Sequence, residues 1–250
     1  MKYIYETHLH TNVGSKCGST SPEDYIKPYL DMGFTGIVVT DHFFNGNCAV
    51  DRSLPWREQV DIFVSGYERA YETGLKEGLD VFFGFETRLG NDEYLVYGLD
   101  KAWLYEHPEI VTATRAEQYR LVRDGGGAVV QAHPYRERGY QDGIDLYPWC
   151  VDAIERHNLG NSRFEDDRCI DYMKRYNLCC TAGSDMHDVN QLKKMKPFGV
   201  VSDTKWSSID DYVQILKSHK QLELFVESVP MQKEKLTLDF DVTEHTDERP

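Results

Sequence analysis

Residues 3–10 read Tyr3-Ile4-Tyr5-Glu6-Thr7-His8-Leu9-His10, an apolar run that ends in two histidines. Four other apolar runs are followed in the same way by histidine or carboxylate residues, namely 37–39 before Asp41-His42, 81–83 before Glu86, 128–130 before His133, and 178–180 before Asp185-Met186-His187. In α/β barrels the strands end at one face of the molecule, where the reactive side chains gather. The pattern therefore predicts that these residues converge in one small volume.

Strand-like and helix-like segments alternate along the chain, which predicts parallel strands joined by helical crossovers. The predicted strands cover residues 3–7, 36–40, 80–85, 93–97, 128–132, 151–154 and 178–182. The predicted helices cover residues 22–32, 55–77, 116–123, 163–176 and 209–218. A single domain over residues 1–250 is the simplest interpretation, with a C-terminal helix, an edge strand and an acidic tail in residues 203–250.

The composition narrows the class of protein. Hydrophobic residues make up 40% of the 250 residues, which suits a globular domain with a sizeable core. The net charge of −14 disfavours a protein that binds long nucleic acid, because such proteins carry basic surfaces. Neither a membrane-spanning segment nor a signal peptide is recognisable, so we expect a cytoplasmic protein with no membrane partner. Free thiols are expected for its six cysteines.

Two of the polar motifs have the spacing of metal ligands. His8 and His10 are two residues apart on a predicted strand, so both imidazoles lie on one face and can bind one ion. Asp185 and His187 have the same spacing. Either motif alone is weak evidence, since a hydrogen-bonded loop histidine is commoner than a ligand. Their recurrence at five strand ends favours a metal site.

At this point the motifs resemble those of a known family. His8-Leu9-His10-Thr11, Thr40-Asp41-His42, Gly84-Phe85-Glu86, Gln131-Ala132-His133-Pro134 and Gly183-Ser184-Asp185-Met186-His187 resemble, in order, the motifs of the PHP family. The family takes its name from its polymerase-associated and histidinol-phosphatase members. The resemblance covers about residues 3–202 and implies a distorted (β/α)7 TIM-like barrel with two or three divalent metal ions.

The resemblance also implies how the ligands are shared among the ions. His8, His10, Glu86 and Asp185 would hold one ion, and Glu86 would bridge to a second ion that His133 also binds. A third ion would be held by His42 and His187 together with a histidine in the loop after the first motif.

The chain departs from the family pattern in two places. The loop of residues 11–18 has no histidine, and Lys16 lies near the expected position. We expect Lys16 either to contact a substrate phosphate or to be an ordinary solvated lysine. A second family histidine, between Glu86 and His133, is also missing, and Asp92, Glu93 or water is expected to replace it.

The predicted chemistry is hydrolysis by a hydroxide that bridges two ions and attacks phosphorus in line. Asp41 would orient His42 or bind metal directly, and, if the third ion is absent, His42 or His187 would protonate the leaving group. Arg136 is the preferred phosphate-binding residue and Arg88 the second choice, although either arginine could form a surface salt bridge instead.

The ligand set inferred from the sequence contains nitrogen and oxygen but no thiolate, which suits Zn²⁺, Mn²⁺ or Fe²⁺. The predicted substrate and partner is a small phosphorylated metabolite, a phosphomonoester of the histidinol-phosphate or nucleotide type. A metallohydrolase of C–N or C–O bonds and a non-catalytic metal-binding module remain as alternatives. Glu155 is expected to support the ligands and His157 to contact substrate. The oligomeric state is left open.

Overall fold

A computed structural model describes residues 1–139 and 141–226, in which a nine-stranded sheet curls into a nearly closed barrel. The strands are β1 Tyr3–Leu9, β2 Gly36–Val39, β3 Asp80–Leu89, β4 Asp92–Tyr97, β5 Ala128–Ala132, β6 Ala153–Asn158, β7 Cys179–Gly183, β8 Gly199–Ser202 and β9 Glu223–Phe225. The α-helices are α1 Ile26–Asp31, α2 Trp56–Glu77, α3 Lys101–Glu106, α4 Arg115–Asp124, α5 Arg163–Tyr176 and α6 Ile209–Lys217. Short 3-10 helices cover Pro22–Tyr25, Pro108–Val111 and Val189–Lys193.

The strands lie in the order β7-β6-β5-β4-β3-β2-β1-β8-β9. β1, β2 and β3 are parallel to one another, as are β5, β6 and β7. The predicted α/β fold class, a distorted TIM-like barrel, is therefore confirmed. The predicted acidic tail falls largely on residues 227–250, which lie outside the described residues.

The prediction that all strands are parallel is wrong at β4. This strand pairs antiparallel with both β3 and β5. Only Gly90 and Asn91 separate β3 from β4, and a turn of two residues can join only antiparallel strands. Gly90 adopts the positive φ of 73° that such a turn needs. As a result Glu93, near the start of β4, lies opposite Arg88 at the end of β3.

One strand and one α-helix were absent from the sequence prediction, as were the 3-10 helices Pro108–Val111 and Val189–Lys193. Strand β8 pairs antiparallel with the first residues of β1, and helix α3 follows β4. Both are short, four and six residues long, so their periodicity is too brief to recognise. The longer helices agree with the prediction to within about two residues, and α4, α5 and α6 each begin with a capping box.

Polar contacts join β7 and the residue segment after it to β1 and the residue that follows it, and so close the barrel. The Thr7 hydroxyl donates to the Ala182 carbonyl at 3.0 Å, and His10 N–H donates to the Met186 carbonyl at 2.8 Å. Buried Glu6 accepts hydrogen bonds from the backbone N–H of Ser184 and of His8, both at 2.9 Å. Burial raises the pKa of Glu6 to about 7, against the lowering effect of these bonds. The barrel thus closes next to His8 and His10.

One end of the barrel interior is apolar. Side chains from the parallel strands, including Tyr5 and Val38, pack with Tyr97, Trp206 and the buried face of α6. The rings of Tyr5 and Trp206 stack with centroids 3.6 Å apart. Because α6 covers this end, the carboxyl ends of the parallel strands are left for polar side chains.

In the part of the chain that the structure describes, no helix is both long enough and apolar enough to cross a membrane.

Gly183, the last residue of β7, lies against His8 of β1 and Glu155 of β6. A Cβ at this position would lie 2.6 Å from both His8 Cβ and Glu155 Oε1. Only glycine leaves room here for the His8 and Glu155 side chains to keep their positions.

We predict that Gly183→Ala lowers the free energy of unfolding by about 1–3 kcal/mol, because the added methyl overpacks this contact. The measurement is the midpoint of urea denaturation. Gly139→Ala is the control, since a Cβ there meets no described atom within 4 Å and should change stability by less than about 0.5 kcal/mol. Equal stability of the two variants would contradict the close approach of β7 to β1.

Candidate metal centre

Buried Glu86 on β3 lies at the centre of four imidazoles. Its Oε1 is 3.3 Å from His8 Nε2 and 3.4 Å from His133 Nε2. Its Oε2 is 3.4 Å from His10 Nε2 and 2.7 Å from His42 Nδ1. Despite these distances, neither oxygen forms a hydrogen bond of acceptable geometry with any described residue. A carboxylate surrounded by ring nitrogens, with both oxygens unsatisfied, has the form of a ligand that bridges two cations.

Asp185 lies beside His8 and His10 on the other side of this cluster. Its Oδ1 is 3.1 Å from His10 Nε2 and 3.4 Å from His8 Nε2, and the two imidazole nitrogens are 3.1 Å apart. Donor atoms about 2.1 Å from one tetrahedral ion are roughly 3.4 Å from each other. The three donor atoms are therefore spaced to bind one ion.

The backbone is strained at two of these residues. His133 has a φ of 30° and Asp185 a φ of 54°, in the region that non-glycine residues seldom adopt. Such a conformation costs on the order of 1–3 kcal/mol and persists where the surrounding structure imposes it. The strained residues follow β5 and β7, and their side chains lie beside Glu86 in the case of His133 and beside His8 and His10 in the case of Asp185.

Glu155, fully buried on β6, holds two of the candidate ligands in place. Its Oε1 lies 3.0 Å from His8 Nδ1, and its Oε2 accepts from the His133 N–H at 3.2 Å and from Asn158 Nδ2 at 2.8 Å. A proton on His8 Nδ1 leaves Nε2 as the unprotonated nitrogen, which is the one that faces Glu86. The expected supporting role of Glu155 agrees with this geometry.

Asp41 acts through the loop of residues 11–18. Its carboxylate accepts hydrogen bonds from Thr11 N and Thr11 Oγ1, both at 2.6 Å, and from Ser15 Oγ at 2.7 Å. The Ser15 hydroxyl in turn lies 3.0 Å from His10 Nδ1 and accepts from His42 N–H at 2.9 Å. Asp41 is therefore linked to His10 and His42 through Ser15.

Arg136 has protein partners on three of its nitrogens. The buried guanidinium donates to Asp185 Oδ2 at 2.6 Å, to Asn158 Oδ1 at 2.5 Å and to Asn161 Oδ1 at 2.9 Å. It also lines the cavity described below. This places Arg136 against a candidate metal ligand, where the sequence had suggested a phosphate-binding group.

The two residues proposed to replace the family histidine between Glu86 and His133 lie in different places. Glu93 Oε2 is 3.5 Å from His133 Nε2, and Glu93 can share an ion with His42 and Glu86. Asp92 instead accepts from Tyr94 Oη at 2.5 Å and from Arg115 Nε at 3.0 Å. Glu93 is thus the better candidate ligand. His157 pairs with Asp166 at 2.8 Å.

A third cluster of donor atoms consists of His10, His42 and His187, within 4.8 Å of one another. Lys16 is exposed, and the residue of its loop that lines the adjoining cavity is Cys17. Desolvation raises the pKa of the Cys17 thiol, but hydrogen bonds to His187 and His42 outweigh it and lower the pKa to about 6. The sequence analysis considered only histidine and lysine in this loop and missed Cys17, although a cysteine next to Lys16 was a visible signal.

The imidazoles differ in protonation. Burial lowers the pKa of His8, but Glu155, Asp185 and Glu86 together raise it well above its usual value. Burial and the neighbouring His187 and His42 hold the pKa of His10 well below its usual value. Without metal, positive charge beside the carboxylates resides on protonated imidazoles, and a divalent cation can replace those protons.

A cavity of about 660 Å³ opens above the cluster, large enough for a small ester. It is lined by Cys17, His42, Asn45, Gly46, Asn47, Arg88, Glu93, Arg136, Asp185 and His187. Arg88 is half-buried, and its Nε donates to the Gly90 carbonyl. Of the three predicted substrate-binding cations, Arg88 and Arg136 therefore reach this cavity.

Comparison with known proteins identifies a matching family. The family described as PHP domain matches residues 6–225, a range that contains all the candidate ligands. A curated relative from Eggerthella lenta, phosphoribosyl 1,2-cyclic phosphate 1,2-diphosphodiesterase, is 39% identical over 72 residues, which cover 27% of this chain and 26% of the relative. The chain thus matches about a quarter of the length of this relative.

Two solved structures have a similar fold. One is a two-domain protein from Bacteroides vulgatus that contains a predicted PHP-like metal-dependent phosphoesterase. It has 14% sequence identity and a TM-score of 0.63, over 90% of this chain and 65% of that chain. The other is an amidohydrolase from Chromobacterium violaceum, with 13% identity and a TM-score of 0.53, over 86% of this chain and 96% of that chain. At these identities the similarity concerns the fold.

We predict that Glu155→Gln weakens Zn²⁺ binding by about 10–100-fold without unfolding the protein. Both Glu155 oxygens face donors, so a side-chain amide must turn its NH₂ toward one of them. A chelator-competition titration measures the affinity. Glu109→Gln is the matched control, because it alters an exposed carboxylate that contacts His107 at 2.9 Å. An unchanged affinity in Glu155→Gln would show that this carboxylate does not orient the ligands.

Proposed function

The chain belongs to the PHP domain family, and we propose that it is a metal-dependent phosphoesterase that hydrolyses a small phosphomonoester at the cluster around Glu86. The family and the name of the Bacteroides vulgatus relative support the enzyme class. The one observation that carries the proposal is the position of Glu86, whose two unsatisfied oxygens lie within 3.4 Å of imidazole nitrogens from four different histidines.

The donor atoms fit divalent cations. Buried polar atoms without partners are costly, and His133 Nε2, His42 Nδ1 and both Glu86 oxygens are of this kind among the described residues. His8, His10, Glu86 and Asp185 would hold one ion, and Glu86, His133 and Glu93 a second. These imidazole and carboxylate donors suit Zn²⁺, Mn²⁺ or Fe²⁺.

Ions bound there would lower the pKa of water toward neutrality and offset negative charge on the phosphate. Side chains that line the cavity can bind the phosphate and protonate the leaving group. Arg88 is positioned to bind the phosphate, since its guanidinium can contact two oxygens at once. Arg136 holds Asp185 and keeps two N–H groups for substrate. In the absence of a third ion, His187, which lines the same cavity, can donate a proton to the leaving alkoxide.

The cavity and the charge limit the substrate. A volume of about 660 Å³ accommodates a small phosphorylated metabolite, such as one of the histidinol-phosphate or nucleotide type. The net charge of −14 does not favour a long nucleic acid.

A small cyclic phosphodiester is the second candidate substrate. It is favoured by the 39% identity to the diphosphodiesterase from Eggerthella lenta over 72 residues. The same cations and Arg88 would serve either ester, because each exposes non-bridging oxygens. Hydrolysis of C–N or C–O bonds and metal binding without catalysis are the competing functions.

The test uses the full chain, freed of metal and then supplied separately with Zn²⁺ and Mn²⁺. We expect hydrolysis of p-nitrophenyl phosphate, and His133→Ala and Asp185→Ala should lose most bound metal and at least about 100-fold in activity. His107→Ala, whose ring stacks on Trp103, is the control that should keep both.

Activity toward different substrates distinguishes the alternative functions. Preference for bis(p-nitrophenyl) phosphate would favour the diester, and cleavage only of amides or lactones would favour the C–N or C–O hydrolase. Bound metal without hydrolysis of a broad phosphate panel would indicate a non-catalytic module. Near-native rates in His133→Ala would contradict the cluster assignment.

The two arginines of the cavity should behave differently. We predict that Arg88→Ala raises KM by about 10–100-fold with metal content unchanged, because it removes a charge-assisted contact to phosphate. Arg136→Ala should lower metal content as well, because Asp185 loses its 2.6 Å partner. Steady-state kinetics and metal analysis measure both effects. Arg57→Ala, which removes a guanidinium over the Tyr105 ring, is the control. An unchanged KM in Arg88→Ala would exclude Arg88 from substrate binding.

A further inference from the structure

We propose that Cys17 supplies a thiolate ligand to a third divalent ion, which it binds together with His42 and His187. This inference rests on the proposed metal centre but concerns a separate position in it. It gives the chain a site with one sulfur and two nitrogen donors beside the nitrogen and oxygen donors around Glu86.

The backbone holds Cys17 between the segments that carry the two histidines. On one side of it, Lys16 N–H donates to the Asn47 carbonyl at 3.0 Å. On the other side, Ser19 N–H donates to the carbonyl of His187 at 2.9 Å. Cys17 is therefore tied on one side to the segment that follows His42 and on the other to His187 itself, and it lines the same cavity as both imidazoles.

The imidazoles indicate a ligand independently of Cys17. His42 is only 7% exposed, and its ring, whose Nδ1 lies 2.7 Å from Glu86 Oε2, lines the cavity together with His187. The donor atoms of His10, His42 and His187 lie within 4.8 Å of one another, a spacing that suits a shared cation. His10 Nε2 is also 3.1 Å from Asp185 Oδ1, where it serves the first ion. A third ion would therefore have the imidazoles of His42 and His187 as ligands and would lack a third donor.

Cys17 can supply this third donor, and the preference of its thiolate determines which metal ion binds. Two imidazoles and one thiolate leave the fourth position of a tetrahedral ion open, as in catalytic zinc sites. Thiolate favours Zn²⁺ over the harder Mn²⁺, whereas the imidazole and carboxylate donors around Glu86 accept either ion. The thiol releases its proton to solvent when the sulfur–metal bond forms, and no electron is transferred.

Co²⁺ in place of Zn²⁺ makes the sulfur–metal bond visible in the full chain. Wild type loaded with Co²⁺ should show near-ultraviolet thiolate-to-cobalt charge-transfer absorption. Cys17→Ser should lose it, and Cys150→Ser, which alters a half-buried thiol that does not line this cavity, should keep it. With Zn²⁺, Cys17→Ser should bind one equivalent fewer, and Cys17→His should restore that equivalent without the absorption.

Alkylation tests the same bond in wild type, where misfolding of a variant plays no part. Zn²⁺ should slow the reaction of Cys17 with iodoacetamide by at least about tenfold, because a metal-bound thiolate is a poor nucleophile, and Mn²⁺ should have little effect. His187→Ala should abolish the protection by Zn²⁺. Peptide mass spectrometry separates Cys17 from the other thiols.

Absence of the absorption in wild type, its persistence in Cys17→Ser, or equal alkylation with and without Zn²⁺ would overturn the inference. These outcomes are distinct from failure of the proposed function. Phosphate hydrolysis without the absorption would reject the Cys17 ligand alone. The absorption without hydrolysis of any phosphate ester would reject the phosphoesterase and leave the metal site standing.

Discussion

The structure depends on a single buried carboxylate, that of Glu86. Hydrogen-bonded strands on either side hold β3 in the sheet, and this carboxylate is presented to four imidazoles without a hydrogen-bond donor for either oxygen. Leaving such a group buried is unfavourable by several kcal/mol unless a cation compensates its charge. Metal binding and the stability of this end of the barrel are therefore coupled, because the same ligands must lie close together for both.

A second layer of carboxylates sets the geometry of the first. Glu155 orients His8 and the backbone of His133, and Asp41 positions His10 and His42 through Ser15. Each of these carboxylates is buried and accepts several hydrogen bonds, so its position varies little. Such partners fix which imidazole nitrogen is available to an ion. The glycine at the end of β7 belongs to the same arrangement, because it leaves space for this layer.

The features predicted correctly from the sequence depend on local patterns, and those that it missed depend on contacts between segments that are distant along the chain. The strand-end pattern predicted the barrel, and the five ordered motifs predicted the PHP family, and both are confirmed. The direction of β4 was wrong because a hairpin turn, not a helix, connects it to β3. Arg136 was predicted from its position along the chain to bind phosphate, and its contact with Asp185 was not foreseen. The ligand and catalytic roles themselves remain predictions.

The sequence by itself determined the fold class, the order of the strands that carry ligands, and the kinds of donor atom at their ends. Periodicity and local motifs encode these features within a few residues. Only the tertiary structure decided that Glu93 rather than Asp92 lies at the cluster, that Arg136 contacts Asp185, and that Cys17 rather than Lys16 lines the cavity with His42 and His187. These outcomes depend on pairings between distant segments, such as that of Ser19 with His187, which no local pattern specifies.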